Sequence, residues 1–198
     1  MNEKHSHERD FETGVPPEER RSPKKGGGFV EFLVILIIAF ALVFGLVRPY
    51  VLEAFYIPSE SMVPTLEIGD RVFVNKFVYR FSEPERGDIV VFRSTEGGEE
   101  DLIKRVIGLP GDNVALYDGD VYVNFKRLEE PYLEEAHAQG QAVDGAFEAA
   151  TVPEGKVLVM GDNRANSRDS RFFGAVPLEN IEGEAFALFW PPSRIGLL

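Results

Sequence analysis

The sequence predicts a mainly β domain preceded by one membrane-spanning helix. Two observations carry this. Phe32 to Val47 is a run of 16 residues without a charge or a strongly polar group. Beyond it, short runs rich in Val, Ile, Phe and Tyr recur, each closed by Gly, Pro, Asn or Asp, which is how strands and their turns read.

Residues 1–28 come first. They hold six Lys/Arg and six Asp/Glu, with Pro16, Pro17, Pro23 and the run Gly26-Gly27-Gly28. Such a segment cannot bury enough apolar surface to offset its ordering entropy, so it reads as a disordered tail. With Phe29, Val30 and Tyr50 to Leu52, the apolar run that follows reaches about 20 residues, the length a spanning helix needs. A cleaved leader fits less well: the polar stretch ahead is long and no small-x-small site follows. A core helix would show a polar stripe, and none is present. The anchor is therefore placed at 29–52. Arg20, Arg21, Lys24 and Lys25 precede it and only Arg48 follows closely, which puts the N-terminus in the cytoplasm and 53–198 on the outer face of the cytoplasmic membrane.

In 53–198 the strand readings are Arg71 to Tyr79, alternating around Val72, Val74 and Val78, then Asp88 to Phe92, Leu102 to Ile107, Lys156 to Met160 and Ala185 to Phe189. Asn113 to Phe125 reads as a hairpin turning at Asp118-Gly119-Asp120. Residues 126–150, rich in Glu, Ala and Gly, read as a mobile excursion, within an accessory insert at about 113–152.

Composition excludes several chemistries. There is no cysteine, hence no disulfide, no Cys–zinc site and no thiol nucleophile. A net charge of −12 argues against nucleic acid as a partner. His5 and His7 lie in the tail and His137 in the excursion, so a Ser-His-Asp triad or a histidine metal site has little to be built from. No Asp-rich loop has cation-binding spacing. No metal and no cofactor is expected.

A hydrolase would need another base, and a buried lysine serves because desolvation disfavours the ammonium. Lys126 and Lys156 sit at turns. Lys104 alternates with Leu102 and Val106, and Lys76 with Val74 and Val78; periodicity does not choose between these two. The nucleophile candidate is in Pro58-Ser59-Glu60-Ser61-Met62-Val63-Pro64, two serines in a proline frame, which alone reads equally as a plain turn. A third segment, Gly161 to Arg171, is dense in hydrogen-bonding side chains directly after a Val-Leu-Val-Met run, and suits a loop that orients another group.

Together these segments resemble bacterial type I signal peptidases, over most of 47–190. Pro58-Ser59-x-Ser61-Met62-x-Pro64-Thr65-Leu66 is similar to that family's nucleophile box, Arg86-Gly87-Asp88-Ile89-Val90-Val91-Phe92 to its central strand, Lys104 to Asp112 to its lysine box, and Gly161 to Arg171 to its last box. The resemblance implies a coiled, mostly antiparallel β-sheet catalytic domain. It implies Ser61 as acylating nucleophile and Lys104 as general base, with Ser59 and the Ser61 amide as oxyanion donors, each worth ~3 kcal/mol. Ser167 would hydrogen-bond Lys104, Asp169 and Arg171 would pair to support the loop, and Phe55, Ile57, Leu102 and Ile103 would line pockets for small substrate side chains. The implied activity is cleavage of signal peptides from exported preproteins after Ala-x-Ala, without a cofactor, with the preprotein, the lipid bilayer and the secretion translocon as partners. Three departures stand out: Glu60 where the family often has Gly, a short accessory insert, and a single span. The rivals are a self-cleaving Ser-Lys protease of the repressor kind, which the span at 32–47 opposes, and a silent membrane-tethered β binding domain, which retention of Ser61 and Lys104 opposes.

Overall fold

The computed structural model describes residues 28–47, 51–98, 100–133 and 147–198. The tail up to residue 27, with Arg20, Arg21, Lys24, Lys25, His5 and His7, lies outside them, as do Arg48 and His137.

The apolar run forms helix α1, Gly28–Leu42, continued by a wider π-type turn over Val43–Val47. These twenty residues rise about 30 Å, the thickness of a hydrocarbon layer. No residue of α1 is buried, and Phe29, Ile35, Ile37 and Phe40 are each more than half exposed. Leu52, read as the end of the span, already belongs to the first strand.

The remainder is built from antiparallel strands. They are β1 Leu52–Tyr56, β2 Arg71–Asn75, β3 Ile89–Arg93, β4 Asp101–Gly108, β5 Asn113–Tyr117, β6 Asp120–Val123, β7 Lys126–Arg127, β8 Phe147–Thr151, β9 Lys156–Met160, β10 Val176–Pro177, β11 Ile181–Trp190 and β12 Gly196–Leu197. One sheet has the order β1-β2-β11-β3-β4-β9-β10, with β12 beside β11; the other runs β7-β6-β5-β8. The mainly β class read from the sequence is the observed one.

Burial explains the sequence of the central strand. Ile89 and Val91 of β3 pack with Ile57, Met62, Leu66, Val72, Val74 and Ile103. Val90 and Phe92 pack with Val106, Val157, Val159 and Val176 on the opposite face. A strand covered on both faces reads as an unbroken apolar run, as Ile89 to Phe92 does.

Two expectations are corrected. The strand read over Arg71 to Tyr79 stops at Asn75, whose side-chain Oδ1 accepts the Phe77 amide at 3.0 Å and starts a turn. Residues 126–150 are not one loose excursion: β7, a 3-10 turn at Pro131–Leu133 and β8 are ordered, and Leu133 is buried. Phe147-Glu148-Ala149-Ala150-Thr151 has weak strand propensity and is made a strand by pairing with β5. In the β5–β6 hairpin Asp118 and Gly119 take φ of 51° and 84°, the left-handed pair that a two-residue turn demands.

Candidate active site

Ser61 lies between β1 and β2 in a segment pinned at both ends. Ile57 is buried on one side, and its amide bonds Asp70 O. Met62 and Leu66 are fully buried on the other, joined by Leu66 N to Met62 O at 2.9 Å. Apolar anchors so near a serine leave its hydroxyl little freedom, which the proline frame alone does not guarantee.

Lys104 comes from β4 and is 3% exposed. Its Nζ donates to Ser61 Oγ at 2.7 Å and to Ile103 O at 2.8 Å. Burial pushes the Lys104 ammonium down to about 8, against the upward pull of Asp169 and Asp162. Lys76 is placed quite differently. It pairs with Glu53 at 2.8 Å and Glu182 at 3.5 Å, and the Glu53 hydrogen bond raises it above the ordinary lysine value. The two lysines that periodicity left level differ in surroundings: one amine is stripped of water beside a serine, the other is held charged by two carboxylates. Ser59 Oγ lies 3.3 Å from Ser61 Oγ.

The Gly161–Arg171 loop packs directly on the serine segment. Asn163 N donates to Ser61 O at 3.0 Å and Asn163 Nδ2 to Glu60 O at 3.1 Å. Asp169 is fully buried, and Arg171 grips it through Nε and a terminal nitrogen, both at 2.8 Å. Burial favours the neutral Asp169 acid, but Arg171 and the Gly161 amide outweigh it and hold the carboxyl below its usual range. Asp169 also caps helix α2, Ser170–Phe173, by accepting from Arg171 N. Ser167 is buried beside Gly161; among the described residues its Oγ makes no hydrogen bond of normal length, though it lies near enough to Asp169 to help hold that carboxylate charged; the bond to Lys104 that the resemblance implies is not made here.

Gly161 is required by close approach. A Cβ there would sit 2.3 Å from Ser61 O and 2.2 Å from Ser167 Oγ. Neither contact is tolerable, and the first is to backbone that cannot swing aside. Gly161→Ala is therefore expected to displace the Ser61 carbonyl and lower kcat/KM about 100-fold or more, since misplacement by about 1 Å costs that much. Activity within threefold of wild type would refute the expectation.

Several supporting residues carried no assigned role in the sequence reading. Arg105 holds Asp162 with two bonds at 2.9 and 2.7 Å, and reaches Gly87 O at 2.8 Å. Thr65 Oγ1 donates to Asp162 at 2.6 Å. Arg164, buried, pairs with Glu130, which also accepts from Tyr132 OH at 2.6 Å; the Tyr132 ring lies 3.9 Å from the Arg105 guanidinium carbon. Arg105 and Asp162 stand next to residues the boxes single out. Nothing in the Glu/Ala/Gly composition around Glu130 marks it.

Of the four apolar residues expected to line pockets, Phe55, Ile57 and Ile103 share one cluster, with Phe55 only partly buried. Leu102 packs instead against the Val90–Phe92–Val106 cluster. Among the described residues no group of three or more Asp, Glu or His side chains converges to hold a metal ion.

Comparison with known proteins matches residues 29–190 to the family model described as signal peptidase, peptidase S26. The chain is 44% identical over 188 residues to the probable signal peptidase I-2 of Synechocystis sp., covering 91% of this chain and 82% of that one. It is 42% identical over 193 residues to signal peptidase I of Leptolyngbya laminosa, covering 93% and 92%. A solved signal peptidase I from Enterococcus faecalis V583 is 38% identical, with a TM-score of 0.47, covering 52% of this chain and 97% of that one.

Proposed function

This chain belongs to the signal peptidase family, peptidase S26, and from that premise we propose that Ser61 and Lys104 are the nucleophile and base with which it removes signal peptides from preproteins. The observation that supports this most is the 2.7 Å bond between an amine 3% exposed and a serine hydroxyl. A lysine lowered to about 8 supplies a useful neutral fraction near pH 7, which a solvated lysine does not.

In the proposed reaction the neutral Lys104 amine takes the Ser61 Oγ proton as Oγ bonds to the scissile carbonyl carbon. The oxyanion is met by the Ser59 hydroxyl and the Ser61 amide. Lys104 then gives the proton to the departing amine, leaving the signal peptide as an ester on Ser61. Water, deprotonated by the same amine, releases it. When Ser61 Oγ becomes an ester oxygen, Lys104 loses a hydrogen-bond partner. Ser167 Oγ, buried and without a hydrogen bond of normal length among the described residues, is the group we assign to hold the amine at that stage. The small residues preferred at the cleavage site, of the Ala-x-Ala kind, would be read by Phe55, Ile57 and Ile103, with Leu102 a weaker candidate given its packing. Helix α1 and its continuation would anchor the enzyme in the cytoplasmic membrane, tail inside, where the translocon delivers the substrate.

The test is cleavage of a preprotein whose signal ends in Ala-x-Ala by the full chain, with the products sequenced. Wild type is expected to cut after the second Ala, and Ser61→Ala and Lys104→Ala not to cut. The logarithm of kcat/KM is expected to rise with unit slope as pH increases towards about 8, then level, because only deprotonated Lys104 is competent. Undiminished cleavage by either variant, or a flat profile between pH 6 and 9, would sink the proposal.

A further inference from the structure

Glu60 stands between Ser59 and the nucleophile, and its side chain is exposed. Its backbone carbonyl is fixed by Asn163 Nδ2 at 3.1 Å, so the residue is held in place while its carboxylate is not enclosed. That carboxylate has one neutral neighbour, Asn166 Nδ2, at 3.4 Å. The anions acting on Lys104 are Asp162 and Asp169, both buried. Among the described residues no cation neutralises Glu60. The arginines of the Gly161–Arg171 loop are engaged elsewhere: Arg164 by Glu130, Arg168 by Glu96 and Arg171 by Asp169. The result, among the described residues, is a solvent-exposed negative charge without an ion-pair partner one residue from Ser61.

An extended substrate advances about 3.3 Å per residue, so side chains within two or three positions of the scissile bond pass within several ångströms of this carboxylate. At such distances in water a unit charge pair changes an equilibrium about threefold, and the difference between opposite and like charges is its square. The small positions of an Ala-x-Ala site leave only the middle residue and those after the cut free to carry charge.

Resting on the proposed reaction, we infer that Glu60 is a specificity-determining residue that selects substrates by charge, favouring Lys or Arg and disfavouring Asp or Glu beside the cleavage site. Glu60 thereby acts on substrate choice and leaves the Ser61–Lys104 chemistry alone.

The test uses two peptide series cut by the full chain, with Lys, Gln or Glu at the middle position of Ala-x-Ala or at the second residue after the cut. In at least one series wild type is expected to show a Lys-over-Glu ratio in kcat/KM of about 5 to 10 at low salt, shrinking in 0.5 M salt. Glu60→Gln is expected to bring the ratio near one while the Gln peptide is cut within twofold of wild type. Glu60→Lys is expected to invert the order, which a folding defect does not do. Asp118→Asn, the same charge change in the β5–β6 turn, is expected to leave the ratio unaltered. Ratios near one for wild type in both series, or an equal fall for all three peptides in Glu60→Gln, would overturn the inference while leaving the proposed reaction standing. Failure of wild type to cut any peptide, or cutting by Ser61→Ala, would instead bring down the reaction on which it rests.

Discussion

Lys104→Met is expected to lower kcat/KM by on the order of 10^4-fold or more and, at the same time, to make the folded protein more stable at pH 7. On the proposed reaction, the loss follows from removing the amine bonded to Ser61. The gain follows from burial. An ordinary lysine value of 10.5 lowered to about 8 corresponds to roughly 3 kcal/mol against the folded state while the amine is protonated in both states. The full cost therefore applies below pH 8. Between about 8 and 10.5 the unfolded chain holds a proton that the folded chain has lost, so wild-type stability climbs with pH across that window. Methionine fills similar volume and does not titrate. The variant is expected to gain about 1–3 kcal/mol at pH 7, because its lost hydrogen bonds offset part of the benefit, and to lack the climb. Urea-unfolding midpoints of both proteins at pH 7 and pH 10 decide the matter. A variant less stable than wild type at pH 7 would contradict the account of Lys104 as a desolvated amine.

Asp162→Ala carries the second large effect. Its carboxylate has no exposed surface and takes two bonds from Arg105 and one from Thr65. Removing one member of a buried ion pair leaves the other charge uncompensated, at a cost of about 3–5 kcal/mol. Arg105 adjoins Lys104 in β4, so the stranded guanidinium and the missing anion both disfavour the Lys104 ammonium. Any residual activity is expected to show its pH rise shifted to lower pH. The pair Arg105→Met with Asp162→Leu is expected to recover much of the stability, since two apolar groups replace two charges. An Asp162→Ala variant that unfolds at the wild-type urea concentration would show that the ion pair contributes little.

What could be read in advance was set by local pattern. Asp88 to Phe92 announced the strand observed over Ile89–Arg93, and Lys156 to Met160 announced β9 to the residue, because apolar β-branched runs need only their own sequence to declare them. Arg71 to Tyr79 misled because Val78 continues the alternation that Asn75 interrupts with a side-chain bond to the backbone, a local device that periodicity does not register. For the site, residue types alone excluded cysteine and histidine chemistry and left Lys76 level with Lys104. The two differ only in what lies across space: Glu53 and Glu182 around one, Ser61 around the other. Glu130 shows the limit most clearly. It is a buried partner of Arg164 drawn from a segment whose composition suggests solvent, and the pairing spans 34 positions.

The chemistry is divided among distant stretches of chain. Lys104 meets Ser61 across 43 positions, Thr65 reaches Asp162 across 97, and Asn163 clasps Glu60 across 103. Closing such separations costs chain entropy that only the finished sheet returns. While the polypeptide is being synthesised, Ser61 emerges about a hundred residues before the loop that fixes it, an interval of several seconds at least. Lys104 is made 43 residues after Ser61, and until the sheet closes over it its amine is solvated and charged. On the proposed reaction, hydrolytic power would begin only with the last strand pairings, so that folding itself sets the moment of activation.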